Sequence, residues 1–127
     1  MAKWANSNVL DSGINYIKSN ATHMLLISSY AAGDSYATVV ANKVVDITMT
    51  GTDYTLSSSG NNRVLTVTAG KSGAATVTTG ASPDLHIAFT DGTANVIWVT
   101  DETSNQPITS GNTVTFPAIT YTANQPV

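Results

Sequence analysis

The sequence predicts a mostly β protein: an antiparallel, jelly-roll-like β-sandwich with one short N-terminal α-helix. Three observations predict this class. Short apolar or alternating runs recur along the chain, clusters of Gly, Asn, Asp and Ser separate them, and Ser and Thr make up roughly a quarter of the residues. Short strands at such spacing are typical of sandwiches, and β-branched Thr suits strands. We therefore expect a single domain over residues 1–127, with the sandwich at about 23–122.

The first element is predicted to be a helix over about residues 8–19. Asn8 can cap its start, Asp11 lies near the positive helix end, and the run SNAT interrupts the pattern afterwards. Trp4, just before the helix, can serve as an apolar anchor. Four apolar residues at helical spacing form the expected core stripe: Val9, Leu10, Ile14 and Ile17.

A series of strands follows the helix. The apolar run HMLLISS at 23–29 predicts a strand buried on both faces. The next stretch, YAAGDSYATVVAN, fits a short helix capped by Asp34 or Ser35, or a strand, because Val39 and Val40 are β-branched. KVVDITMT alternates as a strand does, DYTLSSSGNNRVLTVTA is typical of a hairpin, and GAATVTT predicts a weaker edge strand.

The segment DLHIAFTDGTANVIWVTDET at 84–103 predicts a second hairpin. Asp91-Gly92 is a tight-turn signal, because such a turn requires a positive φ. The register set by that turn pairs three sets of residues on the core face: Phe89 with Ala94, Ile87 with Val96, and Leu85 with Trp98. The other face then carries Asp84, His86 and Ala88 opposite Val99, Ile97 and Asn95. Because this second face is half apolar, we expect the N-terminal helix or a neighbouring subunit to cover it.

The last segment changes its facing at a proline. Val114 and Phe116 are apolar at even positions, whereas Ile119 and Tyr121 are apolar at odd ones. Pro117 lies between them, and a proline in a sheet marks an edge or a bulge. We therefore predict one long strand that bends at this proline and passes from one sheet to another. The final run ANQPV is expected to be a loose tail.

Composition excludes several classes of function. Charged residues make up 10% of the chain and the net charge is −3. The basic residues are scattered, so neither nucleic-acid binding nor attraction to an anionic membrane is expected: Lys3, Lys18, Lys43, Arg63 and Lys71. No apolar run approaches the ~20 residues of a spanning helix, and no signal peptide is recognised. Without cysteine, disulfides, thiolate zinc sites and cysteine nucleophiles are excluded.

No motif in the chain predicts catalysis or a cofactor. The run AGKSGA lacks the glycine that a phosphate-binding loop requires five residues before its Gly-Lys pair; Leu65 stands there. His86 and Asp84 point the same way on their strand and could share a metal, but a third ligand is not evident. Asp91 is assigned to the turn and Asp101 to the next loop. The sequence therefore predicts a non-enzymatic protein with no metal and no cofactor.

The two ends of the chain carry a resemblance to a known family. The opening MAKWANSNVLDSGINYIKSNA, followed by HMLLIS, and the closing ITSGNTVTFPAITYT are similar to small virion proteins of tailed bacteriophages. Those proteins begin with a related Trp-Ala and Tyr-Ile-Lys helix and end with a Gly-Asn-Thr-Val and Phe-Pro-Ala strand. The resemblance implies a decoration or cement protein of the capsid, often a β-sandwich that forms small oligomers over capsid junctions.

The resemblance and the residue patterns together define an expected function. We expect a structural component of the virion, made in the host cytoplasm, that binds between major capsid subunits and forms a homo-oligomer, with a trimer favoured. The predicted contact residues are Trp4, His86, Ala88, Ile97 and Val99. The alternatives are a tail or head–tail structural protein, and a carbohydrate- or receptor-binding module that uses exposed aromatic residues.

Overall fold

A computed structural model describes residues 2–101 and 106–127. Its elements are α1 (Ser7–Asn20), β1 (His23–Ile27), α2 (Tyr36–Ala41), β2 (Lys43–Thr48), a 3-10 turn (Gly51–Asp53), β3 (Tyr54–Ser59), β4 (Asn62–Val67), β5 (Ser72–Ala74), β6 (His86–Thr90), β7 (Val96–Asp101), β8 (Thr113–Thr115) and β9 (Ile119–Ala123). The sheets have the orders β2-β1-β6-β7, β3-β4-β9 and β5-β8, with antiparallel pairing throughout. The prediction of an antiparallel β-sandwich with an N-terminal helix is confirmed.

The main core joins the four-stranded sheet, the three-stranded sheet and α1. Alternate residues of each strand point into it, as the two-residue period of a strand requires. The inward residues of β1, β4 and β6 are almost fully buried there: Met24, Leu26, Leu65, Val67, Ile87 and Phe89. Ile14 and Ile17 of α1 complete this core, so one face of the helix is buried in the domain's interior.

Helix α1 begins earlier than its sequence suggested and is held by an ion pair. The side chain of Asn6, not Asn8, caps it by accepting a hydrogen bond from the Asn8 backbone N–H at 2.8 Å. Asp11 does not act at the helix end, because its Oδ1 accepts a 2.7 Å hydrogen bond from Arg63 Nε on β4. Val9 was predicted to face the core but is 65% exposed.

Strand β1 is buried on both faces, as predicted, and α2 is the reason. Leu25 and Ile27 point away from the main core into a second apolar cluster, in which Val39 of α2 is fully buried. Ser35 caps α2 by accepting a hydrogen bond from the Thr38 backbone N–H. The ambiguous segment is therefore a helix, since the local cap and the apolar sheet surface together outweigh the strand propensity of its valines.

The β6–β7 hairpin differs from its predicted register. Phe89 pairs with Trp98 rather than with Ala94, and Ala88 pairs with Val99 rather than with Asn95. The connection is a five-residue loop, 91–95, instead of a two-residue turn, and a bulge between Phe89 and Thr90 shifts the pairing. The prediction of a tight Asp91-Gly92 turn was wrong, although Gly92 does adopt a positive φ of 78°.

Asp91 organises that loop through its side chain. Its Oδ1 accepts hydrogen bonds from the backbone N–H groups of Thr93, Ala94 and Asn95 at 2.9–3.0 Å, and its Oδ2 accepts one from the Asn95 amide. Three convergent backbone donors stabilise a loop conformation that competes with the two-residue turn. These hydrogen bonds hold the pKa of the Asp91 carboxyl well below its ordinary value of 3.8.

This lowered pKa predicts a pH dependence of stability. A group whose pKa is depressed in the folded state stabilises it above the unfolded-state pKa, and the contribution is lost as pH falls through the folded-state value. We expect the wild-type chain to have a higher Tm than an Asp91→Asn variant at pH 6, and the difference to shrink steadily below about pH 4. Thermal melts over this range check it, and a difference that stays constant down to pH 2 would contradict it.

The segment around Pro117 passes between sheets, as predicted, but as two strands. Strand β8 pairs with β5, whereas β9 pairs with β4 in the three-stranded sheet. The chain's last residues were expected to form a loose tail, but hydrogen bonds hold them in place. Gln125 exchanges hydrogen bonds with the backbone of Ala5 at 2.8 and 2.9 Å and also bonds to Asn61 and Asn62. The C-terminal segment thereby anchors the residues that precede α1.

Candidate interaction groove between α1, β7 and β9

A groove runs along one side of the sandwich. Strand β7 ends the order of the four-stranded sheet, β9 ends that of the three-stranded sheet, and α1 packs against both strands. Between these three elements lies a cavity of about 360 Å³. We call it the aromatic groove, and define it by six of its lining residues: Gly13, Tyr16, Asn95, Ile97, Trp98 and Tyr121.

Helix α1 forms one wall of the aromatic groove, and at Gly13 this wall has no side chain. Gly13 is exposed, and a Cβ atom built on it would meet no heavy atom within 4 Å. Val9 and Tyr16 lie on the same helical face, four residues before and three residues after this glycine. They are 65% and 53% exposed. The helix therefore presents a second, unburied apolar stripe beside the stripe that carries Ile14.

The opposite wall is an aromatic stack that continues into the core. Phe89 stacks on Trp98 with ring centroids 4.6 Å apart and planes at 9°, and Tyr121 meets the Trp98 ring edge-on at 5.4 Å. Tyr54 contacts Phe89 from the core side at 6.3 Å. Because Phe89 and Tyr54 are fully buried, the half-buried Trp98 and the exposed Tyr121 have a fixed support.

The inner end of this stack is fixed by a buried hydrogen bond. Tyr54 Oη donates to the Ala21 carbonyl at 2.8 Å. Burial raises the pKa of the Tyr54 phenol, and the nearby Asp53 charge adds to that rise. The phenol therefore remains a donor at every physiological pH, and the stack is tied to the C-terminal end of α1.

The predicted contact residues lie in four different places. Ile97 lines the aromatic groove. Trp4 is 67% exposed in the segment before α1, which Gln125 anchors. Ala88 and Val99 pair with each other on the outer face of the four-stranded sheet, where both belong to the cluster beneath α2. His86 lies beyond that cluster, with its ring against Tyr30 at 5.7 Å.

The predicted cover of the hairpin's second face is corrected. Neither α1 nor a neighbouring subunit is required there, because α2 of the same chain packs on it. Ala88 is fully buried, so its side chain is not on the surface of the folded chain. Val99 does lie on this second face as predicted, but Ile97 does not, because the hairpin contains a bulge that the predicted pairing lacked and that directs Ile97 to the main core.

Sequence reasoning did not bring Gly13, Tyr16 and Tyr121 together as one surface site. A signal for Tyr16 was present, because it is aromatic but lies off the stripe formed by Ile14 and Ile17. Tyr121 carried no such signal, because its exposure depends on which strand of the second sheet is the outer one. That order is a tertiary property.

Two other regions are relevant to chemistry. A cavity of about 440 Å³ between β6 and the β8 segment is lined mainly by apolar side chains, and no titratable group is among its described lining residues. Separately, Asp84, His86 and Asp101 offer ligand atoms that lie within 4.8 Å of one another. The larger cavity carries no assignable chemistry, whereas the His–Asp group could hold a metal ion.

Comparison with protein-family models, with curated proteins and with solved structures returned no match. Among the described helices, none has both the length and the apolar character needed to cross a lipid bilayer. The functional assignment therefore depends on the groove's geometry and on the resemblance of the chain's two ends.

Proposed function

We propose that this chain is a non-enzymatic structural component of a tailed-bacteriophage particle, a decoration or cement protein that binds between major capsid subunits. The observation that carries the proposal is the aromatic groove, with its supported but exposed aromatic walls. Three large apolar side chains of α1 and β9 are exposed: Val9 at 65%, Tyr16 at 53% and Tyr121 at 39%. Trp4, in the segment before α1, is 67% exposed. The opening and closing segments of the chain support the particle context through their resemblance to small virion proteins.

The groove has the composition of a protein-binding surface. Interface cores are enriched in aromatic residues and depleted of charge, and the six defining residues of the groove include three aromatic side chains and no charged one. Hydroxyl and amide groups such as that of Asn95 cost less to desolvate than charges when they find partners. A protein shell presents many identical copies of a contact, so even weak binding at one groove is strengthened by multivalency.

Self-association is part of the proposal, with a trimer as the favoured oligomer because the resembling proteins form small oligomers. Light scattering coupled to size-exclusion chromatography should then give a mass three times that of the 13.2 kDa chain. A monomer across the micromolar range would contradict self-association in solution.

The sharpest test compares two variants: one has a new negative charge in the groove, and the other has the same charge on the opposite flank of α1. In Gly13→Glu the new side chain enters open space, so the fold has no steric reason to change. Asn15→Glu is the matched control, because residues two apart in a helix point about 200° apart. We expect particles made with Gly13→Glu to lose the protein during purification and those made with Asn15→Glu to retain it. Equal retention of both variants would contradict the groove as the contact surface.

The copy number of the protein in purified particles separates the structural alternatives. Gel densitometry against the main shell protein should give hundreds of copies if this is a shell component. About a dozen copies or fewer would favour the tail or head–tail alternative. Complete absence from particles carrying its gene would overturn the particle assignment itself.

One observation favours a second candidate, a carbohydrate- or receptor-binding module. Tyr16 and Tyr121 expose aromatic rings beside the Asn95 amide, and sugars bind by stacking on such rings while hydrogen bonding to polar groups. Binding of the isolated domain to a glycan array, abolished by Tyr121→Ala, would support this candidate. If the Tyr121→Ala variant still bound to particles, that result would favour the carbohydrate-binding candidate over the decoration role.

A further inference from the structure

We propose that Asp84, His86 and Asp101 form a binding site for a divalent transition-metal ion of the Zn²⁺ type at the open end of the β6–β7 hairpin. The register observed in the hairpin creates this group. His86 pairs directly with Asp101. Asp84 lies two residues before His86, just outside β6, and its Oδ1 is 3.9 Å from His86 Nδ1. The register predicted from the sequence left the histidine with one carboxylate only, so the third ligand arises from the tertiary pairing.

The contacts of the imidazole favour the tautomer that leaves Nε2 free to bind a metal. His86 Nδ1 lies 3.1 Å from the Asp84 backbone carbonyl oxygen, and since a carbonyl can only accept, Nδ1 is the donor. The neutral ring then has its lone pair on Nε2. Metal-binding histidines commonly donate their other ring N–H to a backbone carbonyl in this way. The His86 side chain is 15% exposed and packs against Tyr30, which restrains the ring plane.

The free ring nitrogen faces a carboxylate at metal-ligand spacing. Nε2 lies 3.6 Å from Asp101 Oδ1, which is too long for a hydrogen bond. Ligands at about 2.0–2.2 Å from a tetrahedral Zn²⁺ lie about 3.3–3.5 Å apart, so a small closure suffices. Two electron-rich atoms facing each other at this distance are stabilised when a cation lies between them.

The charge balance of the group also favours a cation. Asp84 and Asp101 are 69% and 70% exposed, so each can rotate toward a shared ion. Three other acids in the described residues are paired with Lys or Arg: Asp11 with Arg63, Asp46 with Lys43, and Asp53 with Lys71. The ion pairs of Asp84 and Asp101 found among the described residues are with His86. A divalent ion would neutralise both carboxylates.

The donor set selects the class of ion. One imidazole nitrogen with two carboxylate oxygens suits Zn²⁺ and neighbouring transition metals, whereas Ca²⁺ prefers six to eight oxygen ligands. Three protein ligands leave positions for water, so the site is of the open kind and not a closed structural site. The site lies apart from the aromatic groove and is independent of the role proposed for it.

Isothermal titration of the metal-free full-length chain with ZnCl₂ tests the proposal. We expect one site per chain, binding of Ca²⁺ at least ten-fold weaker, and a loss of at least five-fold in Zn²⁺ affinity for both His86→Ala and Asp101→Asn. Asp46→Asn is the matched control. It alters the other His–Asp pair, His23 with Asp46 at 2.7 Å, which has one carboxylate and a competing Lys43, and it should bind Zn²⁺ as the wild type does.

A spectroscopic readout identifies the ligand atom. Long-range ¹H–¹⁵N spectra of the imidazoles should show the His86 Nε2 resonance shifting on addition of Zn²⁺ while the His23 resonances stay in place. The proposal is overturned if the wild-type chain shows no saturable Zn²⁺ binding, if Asp101→Asn loses less than five-fold, or if Asp46→Asn weakens binding as much as Asp101→Asn does.

Discussion

Replacing Phe89 by alanine is expected to lower the free energy of unfolding by about 3–5 kcal/mol, the largest effect of any single truncation proposed for this chain. Phe89 is fully buried between the rings of Tyr54 and Trp98, so the change removes a large apolar side chain and both ring contacts. Aromatic pairs contribute about 0.5–1.5 kcal/mol beyond area burial, which places the expected loss toward the upper part of that range.

Chemical denaturation followed by circular dichroism measures this loss. Phe89→Leu is the control, because it retains most of the buried volume and should cost less than half as much. In a Trp4→Phe background, Trp98 is the sole tryptophan and its near-ultraviolet signal reports directly on the stack. A Phe89→Ala loss no greater than that of Phe89→Leu would mean that the stack does not support the groove wall.

Replacing Val39 by aspartate is expected to detach α2 and destabilise the chain by at least about 2–3 kcal/mol. Val39 is fully buried against the outer face of β1 and β6, where a carboxylate would find no partner. The short helix would undock instead of burying the charge, exposing Leu25 and Ile27. Binding of an apolar fluorescent dye should rise accordingly.

Ala37→Asp is the matched control for the α2 prediction. Ala37 is exposed on the first turn of the same helix, where a negative charge is tolerated or slightly favourable, so its effect should stay within about 0.5 kcal/mol. If Val39→Asp were equally harmless and left dye binding unchanged, α2 would not be what covers this face. A neighbouring subunit would then again be a candidate for the cover of that face.

Much of the fold could be predicted because it depends on local chemistry. The 3.6-residue spacing of Ile14 and Ile17 predicts α1, and the continuous apolar run after His23 predicts a doubly buried strand. Pro117 predicts a change of facing because its nitrogen cannot donate to a sheet. Each of these features follows from residues that are close together along the chain.

The candidate sites were predicted less well because they combine distant residues. Ile97 was predicted as a contact residue of the hairpin's second face, but it lines the aromatic groove, which Tyr16 and Tyr121 join only through the packing of α1 against β7 and β9. The sequence suggested that His86 and Asp84 could share a metal, whereas Asp101 was assigned to the next loop. Asp101 opposes the ring only after the five-residue loop and the bulge have set the register.

The sequence by itself determined the β-rich class, the N-terminal helix with its buried Ile14 and Ile17, and the low charge of the chain. Tertiary structure decided the hairpin register, the cover of the second face by α2, and the order of the edge strands. The physical reason is that successive residues of a strand face opposite sides, so the extra residue at the bulge moves Val96 and Ile97 to the faces opposite to those predicted. In this hairpin Asp91 offers hydrogen bonds to a longer loop that compete with the local preference of Asp-Gly for a tight turn, and only the packed sheets select between them.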